Sequence, residues 1–172
     1  MNSTYYKPSD DTFLLAEFVE NLRGKSALEI AAGSGYISKI LKENFISVVA
    51  TDIDPSALKE ARRKADLVVC CDSASAINAV FDLIVINPPY LPSDEINDLA
   101  VDGGKGGIEV TVKMLDDAIR LLKDSGMILL VTSTLADYGA LVSHMNDLGL
   151  ITDTVEKRKL DFEEILLIKA KR

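Results

Sequence analysis

Short apolar runs alternate with amphipathic segments along most of the chain. The first runs lack an in–out alternation, which is typical of strands covered on both faces of a parallel sheet. The segments between them repeat apolar residues at helical spacing. The runs predict strands over 27–31, 47–52, 67–71, 82–87 and 126–133, and the intervening segments predict helices over 36–44, 55–65 and 109–123. This order of elements predicts an α/β fold with right-handed crossovers.

The two ends of the chain complete this pattern. Near the start, the stretch DDTFLLAEFVENL has one apolar face, and Ser9 stands where it can cap the helix. For the helix at 55–65, Asp54 is the predicted cap and Pro55 the first helical residue. After a predicted helix at 136–147, two runs joined by the charged stretch KRKLD predict an antiparallel pair that closes one edge of the sheet: 149–156 and 162–170.

Composition indicates a globular protein and argues against several function classes. The length of 172 residues predicts a single domain over 1–172, and the hydrophobic fraction of 48% argues against a disordered chain. No apolar run approaches the roughly 18–20 residues that span a bilayer. The stretch MNSTYYKPSDD lacks a signal-peptide pattern, so we expect a soluble, cytoplasmic protein. A net charge of −8 argues against an extended nucleic-acid surface.

Cysteine and histidine offer no predicted metal site. Cys70 and Cys71 are adjacent inside an apolar run, and neither has a partner at metal-ligand spacing. His144 is the only histidine and falls on the helix-like stretch ALVSHMNDL. We therefore expect no metal ion and no histidine-dependent catalytic triad.

Polar and glycine residues follow three successive predicted strands. Gly33 and Gly35 follow the first strand, where glycines let the backbone turn sharply and approach a ligand. Asp52 ends the next strand, where a carboxylate can accept hydrogen bonds from both ribose hydroxyls. Asp72 and Ser73 end the third strand, near where an adenine amino group would lie. By themselves, the glycines could merely form a tight turn, and Asp52 could merely be a spacer next to a helix N-cap. Together, these residues predict an adenosine-containing cofactor.

The residue at the third glycine position of the dinucleotide fingerprint helps to distinguish between two adenosine-containing cofactors. NAD and S-adenosylmethionine both fit the features above, but the third glycine of the dinucleotide fingerprint is replaced by Ser38. That replacement disfavours a close approach of the backbone to a pyrophosphate, and it favours S-adenosylmethionine. An NAD-dependent oxidoreductase remains an alternative, against which the lack of a candidate hydride-site acid also counts.

The fourth strand ends in the stretch VINPPYLPSD at 85–94. Pro88 and Pro89 have no N–H and stop the strand, and Asn87 before them is held extended. The Asn87 side-chain oxygen and the Pro88 carbonyl can each accept one N–H of a planar NH₂ group, while Tyr90 packs on its flat face. Asn87, Pro88, Pro89 and Tyr90 are therefore the predicted catalytic residues of a methyl transfer to an amide or adenine nitrogen.

Two further functions stay open at this point. The first is an adenine-N6 methyltransferase acting on RNA or DNA, against which the acidic balance and the lack of a basic appendage argue. The second is a non-catalytic subunit that kept the fold, against which Asp11, Asp52 and the Asn-Pro-Pro-Tyr tip argue.

The motifs together resemble the class I S-adenosylmethionine-dependent methyltransferases, in particular the HemK-like release-factor glutamine methyltransferases of the short archaeal and eukaryotic type. The resemblance covers nearly the whole chain. It rests on YKPSDDTFLL at 6–15, EIAAGSG at 29–35, DIDP at 52–55, INPPY at 86–90 and DGGKGG at 102–107. The Asn-Pro-Pro-Tyr motif alone is shared with adenine-N6 methyltransferases, whereas its combination with the first and last of these motifs is much more specific.

The resemblance implies a set of cofactor contacts. In it, the Asp11–Thr12 pair contacts S-adenosylmethionine, EIAAGSG forms the cofactor loop, DIDP forms the ribose site and Asp72 lies at the adenine. The cofactor-binding residues expected on this basis, together with those from the pattern, are Asp11, Thr12, Glu29, Ala31, Gly33, Gly35, Asp52, Ile53, Asp72, Ser73 and Asn87.

The resemblance also implies a fold, a substrate and a partner. The fold would be Rossmann-like, with helices on both faces of a seven-stranded mixed sheet of order 3-2-1-4-5-7-6, which the hairpin at 149–170 supports. The substrate would be the GGQ glutamine of a class I peptide-chain release factor, methylated at its side-chain nitrogen (N5). A small zinc-binding activator subunit is expected on the edge formed by 67–71, because solitary proteins rarely leave an uncharged apolar edge bare.

Overall fold

The computed structural model describes residues 6–172, and residues 1–5 lie outside the described part. The strands are β1 Gly24–Ile30, β2 Phe45–Asp52, β3 Leu67–Cys70, β4 Phe81–Ile86, β5 Leu91–Pro92, β6 Asp102–Gly104, β7 Leu122–Ser133, β8 Ile151–Lys159 and β9 Glu164–Lys171. The helices are α1 Asp10–Val19, α2 Tyr36–Asn44, α3 Pro55–Ala61, α4 Glu109–Leu121 and α5 Tyr138–Asp147, with a short 3₁₀ turn at Lys105–Gly107. Within the described range, no helix combines the length and the apolarity needed to cross a membrane.

Seven strands form one mixed sheet of order β3-β2-β1-β4-β7-β9-β8. The five strands β3, β2, β1, β4 and β7 are parallel to their neighbours in this order, whereas β9 is antiparallel to both β7 and β8. Because β5 and β6 form a separate small ladder, the seven main strands counted alone read 3-2-1-4-5-7-6. The predicted order, the mixed sheet and the antiparallel closing pair are confirmed.

The side chains of β4 alternate between two cores, one on each face of the sheet. Leu83 and Val85 pack on the side that carries α1 and α2. Ile84 and Ile86 pack on the side that carries α4 and α5. A strand buried on both faces is apolar throughout, which explains why this run shows no polar alternation. The predicted helices on both faces are confirmed.

The predicted helix caps are met at one position and not at another. Asp54 accepts a hydrogen bond from the backbone N–H of Ser56 at 2.7 Å, so α3 begins at Pro55 as predicted. Ser9 stands at the N-cap of α1, but its side chain makes no capping hydrogen bond. Only its carbonyl takes part, accepting from the N–H of Phe13. The prediction that the Ser9 side chain caps α1 is wrong.

Candidate active site

A cavity of about 660 Å³ opens at the carboxyl ends of β1, β2 and β4. This volume lies in the range of small-molecule and cofactor sites. Of the residues predicted for catalysis or cofactor binding, those that line the cavity are Asp11, Thr12, Ala31, Gly33, Asp52, Ile53, Asp72, Ser73, Asn87, Pro88, Pro89 and Tyr90. The carboxyl ends of parallel strands in an open α/β sheet are where ligands bind, so the sequence-predicted residues meet at the expected edge.

The glycine turn and the acidic residue after β2 are held together by a hydrogen bond. The backbone N–H of Gly33 donates to one carboxylate oxygen of Asp52 at 2.7 Å, and the N–H of Asp54 donates to the other at 2.8 Å. Burial nevertheless raises the pKa of Asp52 above its usual value. These contacts fix the Asp52 carboxylate at the cavity wall, where each of its oxygens keeps a second lone pair for a ligand hydroxyl.

Two non-glycine residues of the cavity wall have left-handed backbone conformations. Ala31 has φ 58° and Ser73 has φ 53°. Such conformations cost roughly 1–3 kcal/mol for a non-glycine residue and cluster at ligand-binding sites. Their location at the ends of β1 and β3 marks both strand ends as parts of a binding surface.

Two predicted cofactor contacts, Glu29 and Gly35, do not line the cavity. Glu29 is buried below the turn, where its carboxylate accepts hydrogen bonds from the backbone N–H and the hydroxyl of Ser38. Burial raises the pKa of Glu29 to about 7. At Gly35, with φ 71°, a Cβ would lie 2.9 Å from the Cα of Ala61. In the structure Glu29 positions α2 and Gly35 lets the turn pack on α3, and their direct contact with a cofactor stays a prediction.

The Asn-Pro-Pro-Tyr tip lines the cavity at the end of β4. Asn87 Nδ2 donates to the Thr12 hydroxyl at 3.3 Å, which fixes the amide plane. Asn87 Oδ1 is buried and has no hydrogen-bond partner among residues 6–172. A buried acceptor without a donor costs free energy, so this oxygen is poised for a donor that arrives with a ligand. Pro88 and Pro89 behind it are buried.

Asp11 joins the amino-terminal segment to this tip. Its carboxylate is buried and accepts hydrogen bonds from the hydroxyls of Tyr6 at 2.7 Å and Tyr90 at 3.3 Å. Burial raises the pKa of both phenols well above their usual range, and the negative charge of the adjacent Asp11 raises it further. The two tyrosines are therefore neutral donors, and Asp11 fixes the position of the Tyr90 ring.

The glycines at 102–107 support the tip from behind. A Cβ at Gly103 would lie 2.8 Å from the carbonyl oxygen of Pro89. At Gly107, which has φ 69°, a Cβ would lie 2.2 Å from the carbonyl oxygen of Tyr90. No side chain fits at either position, so the glycines allow two backbone segments to touch.

The cavity is also lined by residues that the sequence did not single out. Tyr6 begins the YKPSDDT motif, but one sequence gives no sign that its hydroxyl reaches Asp11. Glu163 comes from the turn between β8 and β9, and residues 96–101 come from the loop between β5 and β6. Both are brought to the cavity by long-range packing, which no local pattern records.

Comparisons with known proteins agree with this geometry. The pattern that defines the methyltransferase small domain matches residues 8–160. A Methanocaldococcus jannaschii protein that carries the provisional name protein N5-glutamine methyltransferase is 31% identical, over 97% of this chain and 91% of its own length. Methyltransferase HEMK2 of Homo sapiens is 29% identical over 97% of this chain and 89% of its own.

A solved structure shares the fold over almost the full length. It is the E. cuniculi Mtq2–Trm112 complex, described as responsible for the methylation of the eRF1 translation termination factor. Its matching chain superposes with a TM-score of 0.84 at 28% identity, covering 98% of this chain and 99% of that one.

Proposed function

The chain belongs to the methyltransferase small domain family, and from this premise we propose that it methylates the side-chain nitrogen of the glutamine in the GGQ motif of a class I peptide-chain release factor. The observation that carries this proposal is the buried, unpartnered Oδ1 of Asn87 at the cavity wall. The names of the M. jannaschii relative and of the Mtq2–Trm112 complex support the same substrate. Such a reaction belongs in the cytoplasm.

The cofactor that we propose is S-adenosylmethionine, and the residues of the cavity fit it. Asp52 would hold the ribose hydroxyls, Asp72 and Ser73 the adenine, and Gly33 the part of the cofactor nearest the turn. Asp11 and Thr12 would hold its amino-acid end. When bound, this cofactor supplies an electrophilic methyl group.

The chain's own contribution is to hold the target amide. An amide nitrogen is a poor nucleophile because its lone pair is delocalised, so its orientation matters. The oxygen of Asn87 and the carbonyl of Pro88 accept its two N–H groups, and the Tyr90 ring covers its flat face. Acceptors that are fixed beforehand favour the charge that builds on nitrogen during transfer. Orientation of this kind contributes several kcal/mol, with ~7–11 as the upper range. As the nitrogen–methyl bond forms and the methyl–sulfur bond breaks, the amide nitrogen releases one of its two protons to solvent, during or after transfer.

We also propose a small zinc-binding activator subunit at β3. This strand is the outer strand of the sheet and carries no charged residue in Leu67–Cys70. Leu67 is 55% exposed, and Cys70 is exposed as well. An uncharged edge of this kind accepts a strand from another chain. The presence of Trm112 beside Mtq2 in the matching structure supports such a partner.

The test is transfer of a labelled methyl group from S-adenosylmethionine to release factor and, in parallel, to ribosomal RNA. The chain is assayed alone and with the candidate activator. We expect label in the release factor and none in the RNA. Label in the RNA alone would support the adenine-N6 alternative, and label in neither, with the activator present, would contradict the proposal.

A further inference from the structure

The turn between β8 and β9 places one acidic side chain in the cavity. The backbone of this turn is fixed on both sides of Glu163. The carbonyl of Glu163 accepts from the N–H of Leu160 at 2.8 Å. The next residue, Glu164, exchanges two hydrogen bonds with Thr134 at the end of β7, each 3.0 Å long. The Glu163 side chain is therefore directed into the cavity by an anchored backbone.

Glu163 lies on the side of the cavity away from the proposed ribose and adenine contacts. Asp52 and Asp72 follow β2 and β3, on one side of β4, whereas Glu163 precedes β9, two strands from β4 on the other side. Since neighbouring strands are about 4.8 Å apart, the start of β9 is about 10 Å from β4 in the direction opposite to the ribose site. The ribose and adenine sites therefore lie away from Glu163, whereas the proposed cofactor contacts Asp11 and Thr12 adjoin the Asn87–Tyr90 tip.

The Glu163 carboxylate has a free acceptor close to the catalytic tip. Its Oε2 is buried and has no hydrogen-bond partner among the described residues. The carboxylate is close enough to Tyr6 and Tyr90 to contribute to the raised pKa of both phenols. Burying a carboxylate oxygen without a donor is costly, and a donor on the bound substrate removes that cost.

We propose that Glu163 is a substrate-recognition residue that accepts a hydrogen bond from a main-chain N–H of the peptide segment carrying the target amide. The inference rests on the proposed function, because it needs a protein substrate on the Glu163 side of the cavity. Glu163 acts on substrate affinity, while Asn87 and Pro88 act on the reacting nitrogen. Nothing in this role involves the cofactor.

The experiment measures KM and kcat for release factor with the chain and its activator, and cofactor affinity by calorimetry, for Glu163→Ala and Glu163→Gln. A hydrogen bond to a charged group corresponds to a change of about 10–100-fold, so we expect Glu163→Ala to raise KM by that factor. We expect kcat to change little and cofactor affinity to stay as in the unmodified chain. Glu163→Gln keeps an oxygen acceptor of the same reach and should raise KM by less than about 10-fold.

The matched control is Glu164→Ala, which removes the same charge one residue away, outside the cavity, and keeps both backbone bonds to Thr134. We expect it to leave KM unchanged. Equal KM values for Glu163→Ala and Glu164→Ala would overturn this inference alone. The inference would also be overturned if Glu163→Ala lost as much affinity for the cofactor as it lost for release factor, because the carboxylate would then belong to the cofactor site. An unmodified chain that does not methylate release factor contradicts both this inference and the proposed function.

Discussion

At the scale of single residues, the site is built from side chains that are fixed before any ligand binds. Asn87 is fixed by Thr12, Asp52 by Gly33, and Tyr90 by Asp11. Fixed polar groups need little reorganisation when charge develops, which is the main source of electrostatic catalysis. The same logic explains why Asn87 Oδ1 is left without a partner in the described part of the chain.

Removal of the Asn87 acceptor tests this view. We expect Asn87→Ala to lower kcat about 10²–10³-fold, because one of the two acceptors for the target NH₂ is lost. Steady-state kinetics with release factor measures the effect. The control is Asn21→Ala, which removes an exposed amide in the turn after α1 and should leave kcat unchanged. A kcat within twofold of the unmodified chain would show that the amide oxygen does not hold the substrate.

The Tyr90 hydroxyl has a different role from that of its ring. Tyr90→Phe keeps the ring that covers the substrate and removes one neutral hydrogen bond to Asp11, so we expect a loss in kcat/KM of about 3–10-fold. Tyr90→Ala removes both the ring and the hydroxyl, so kcat/KM should fall by about 10²-fold or more. Kinetics of the two variants separate the contributions. Equal losses would mean that the hydroxyl, and not the ring, is what the reaction needs.

At the scale of elements, much of the fold follows from local pattern. The uniformly apolar run before Asn87 became β4 because both its faces are covered. The two runs joined by KRKLD became the β8–β9 hairpin, in which residues 157–159 belong to β8 and the turn is 160–163. The polar and glycine residues at the ends of the predicted strands also identified many of the residues that line the cavity. Glu29, which the resemblance placed at the cofactor, is buried below the turn by the packing of α2. The sequence missed Glu163, which reaches the cavity through the antiparallel edge.

The glycine stretch at 102–107 gives an element-scale prediction. Gly107→Ala would force a Cβ against the Tyr90 carbonyl and displace the tip, so we expect a loss in kcat of at least about 10²-fold. The control is Gly139→Ala in α5, where the nearest atom to an added Cβ is 3.7 Å away. That variant should keep full activity and gain about 0.5–1 kcal/mol in unfolding free energy. Full activity in Gly107→Ala would contradict the role of this stretch.

Asp82 links the starts of three strands. Its carboxylate accepts from Lys123 Nζ at 2.8 Å and from the N–H of Ser26 at 2.8 Å, and the pKa of Asp82 falls to about 2, mainly through Lys123. A carboxyl with a lowered folded-state pKa stabilises the protein above the unfolded-state pKa and loses that effect as the pH falls through the folded-state pKa. We expect Asp82→Asn to cost about 1–2 kcal/mol at pH 7.

Urea denaturation of both proteins across pH measures this contribution. The difference in unfolding free energy should persist from pH 7 to about 5 and shrink as the pH falls from about 4 toward about 2. A difference that is the same at pH 7 and at pH 2.5 would show that the Asp82 charge is not responsible.

At the scale of the whole molecule, the two edges of the sheet differ. The β8 edge carries Asp153, Glu156, Lys157, Arg158 and Lys159, and charges of this kind discourage pairing with another chain. The β3 edge has no such protection over Leu67–Cys70. The molecule therefore has one edge available for a partner and one that is closed by charge.

A charge placed on the β3 edge tests whether the activator binds there. We expect Leu67→Lys to weaken co-purification of the activator by at least about 10-fold and to reduce self-association of the chain purified alone. Ile151→Lys, which charges an apolar residue that is 75% exposed at the start of β8, is the matched control and should change neither. Size-exclusion chromatography with light scattering measures both. Monodisperse, fully active chain without any partner would contradict this account of β3.

The central claim is that the Asn87–Tyr90 tip directs a methyl group to one amide nitrogen. Peptide mass spectrometry of release factor, incubated with S-adenosylmethionine, the activator and either the unmodified chain or Asn87→Ala, tests it most directly. We expect a single added methyl on the GGQ glutamine side chain with the unmodified chain and a loss of about 10²-fold or more with the variant. A methyl on another residue, or equal modification by both proteins, would contradict the claim.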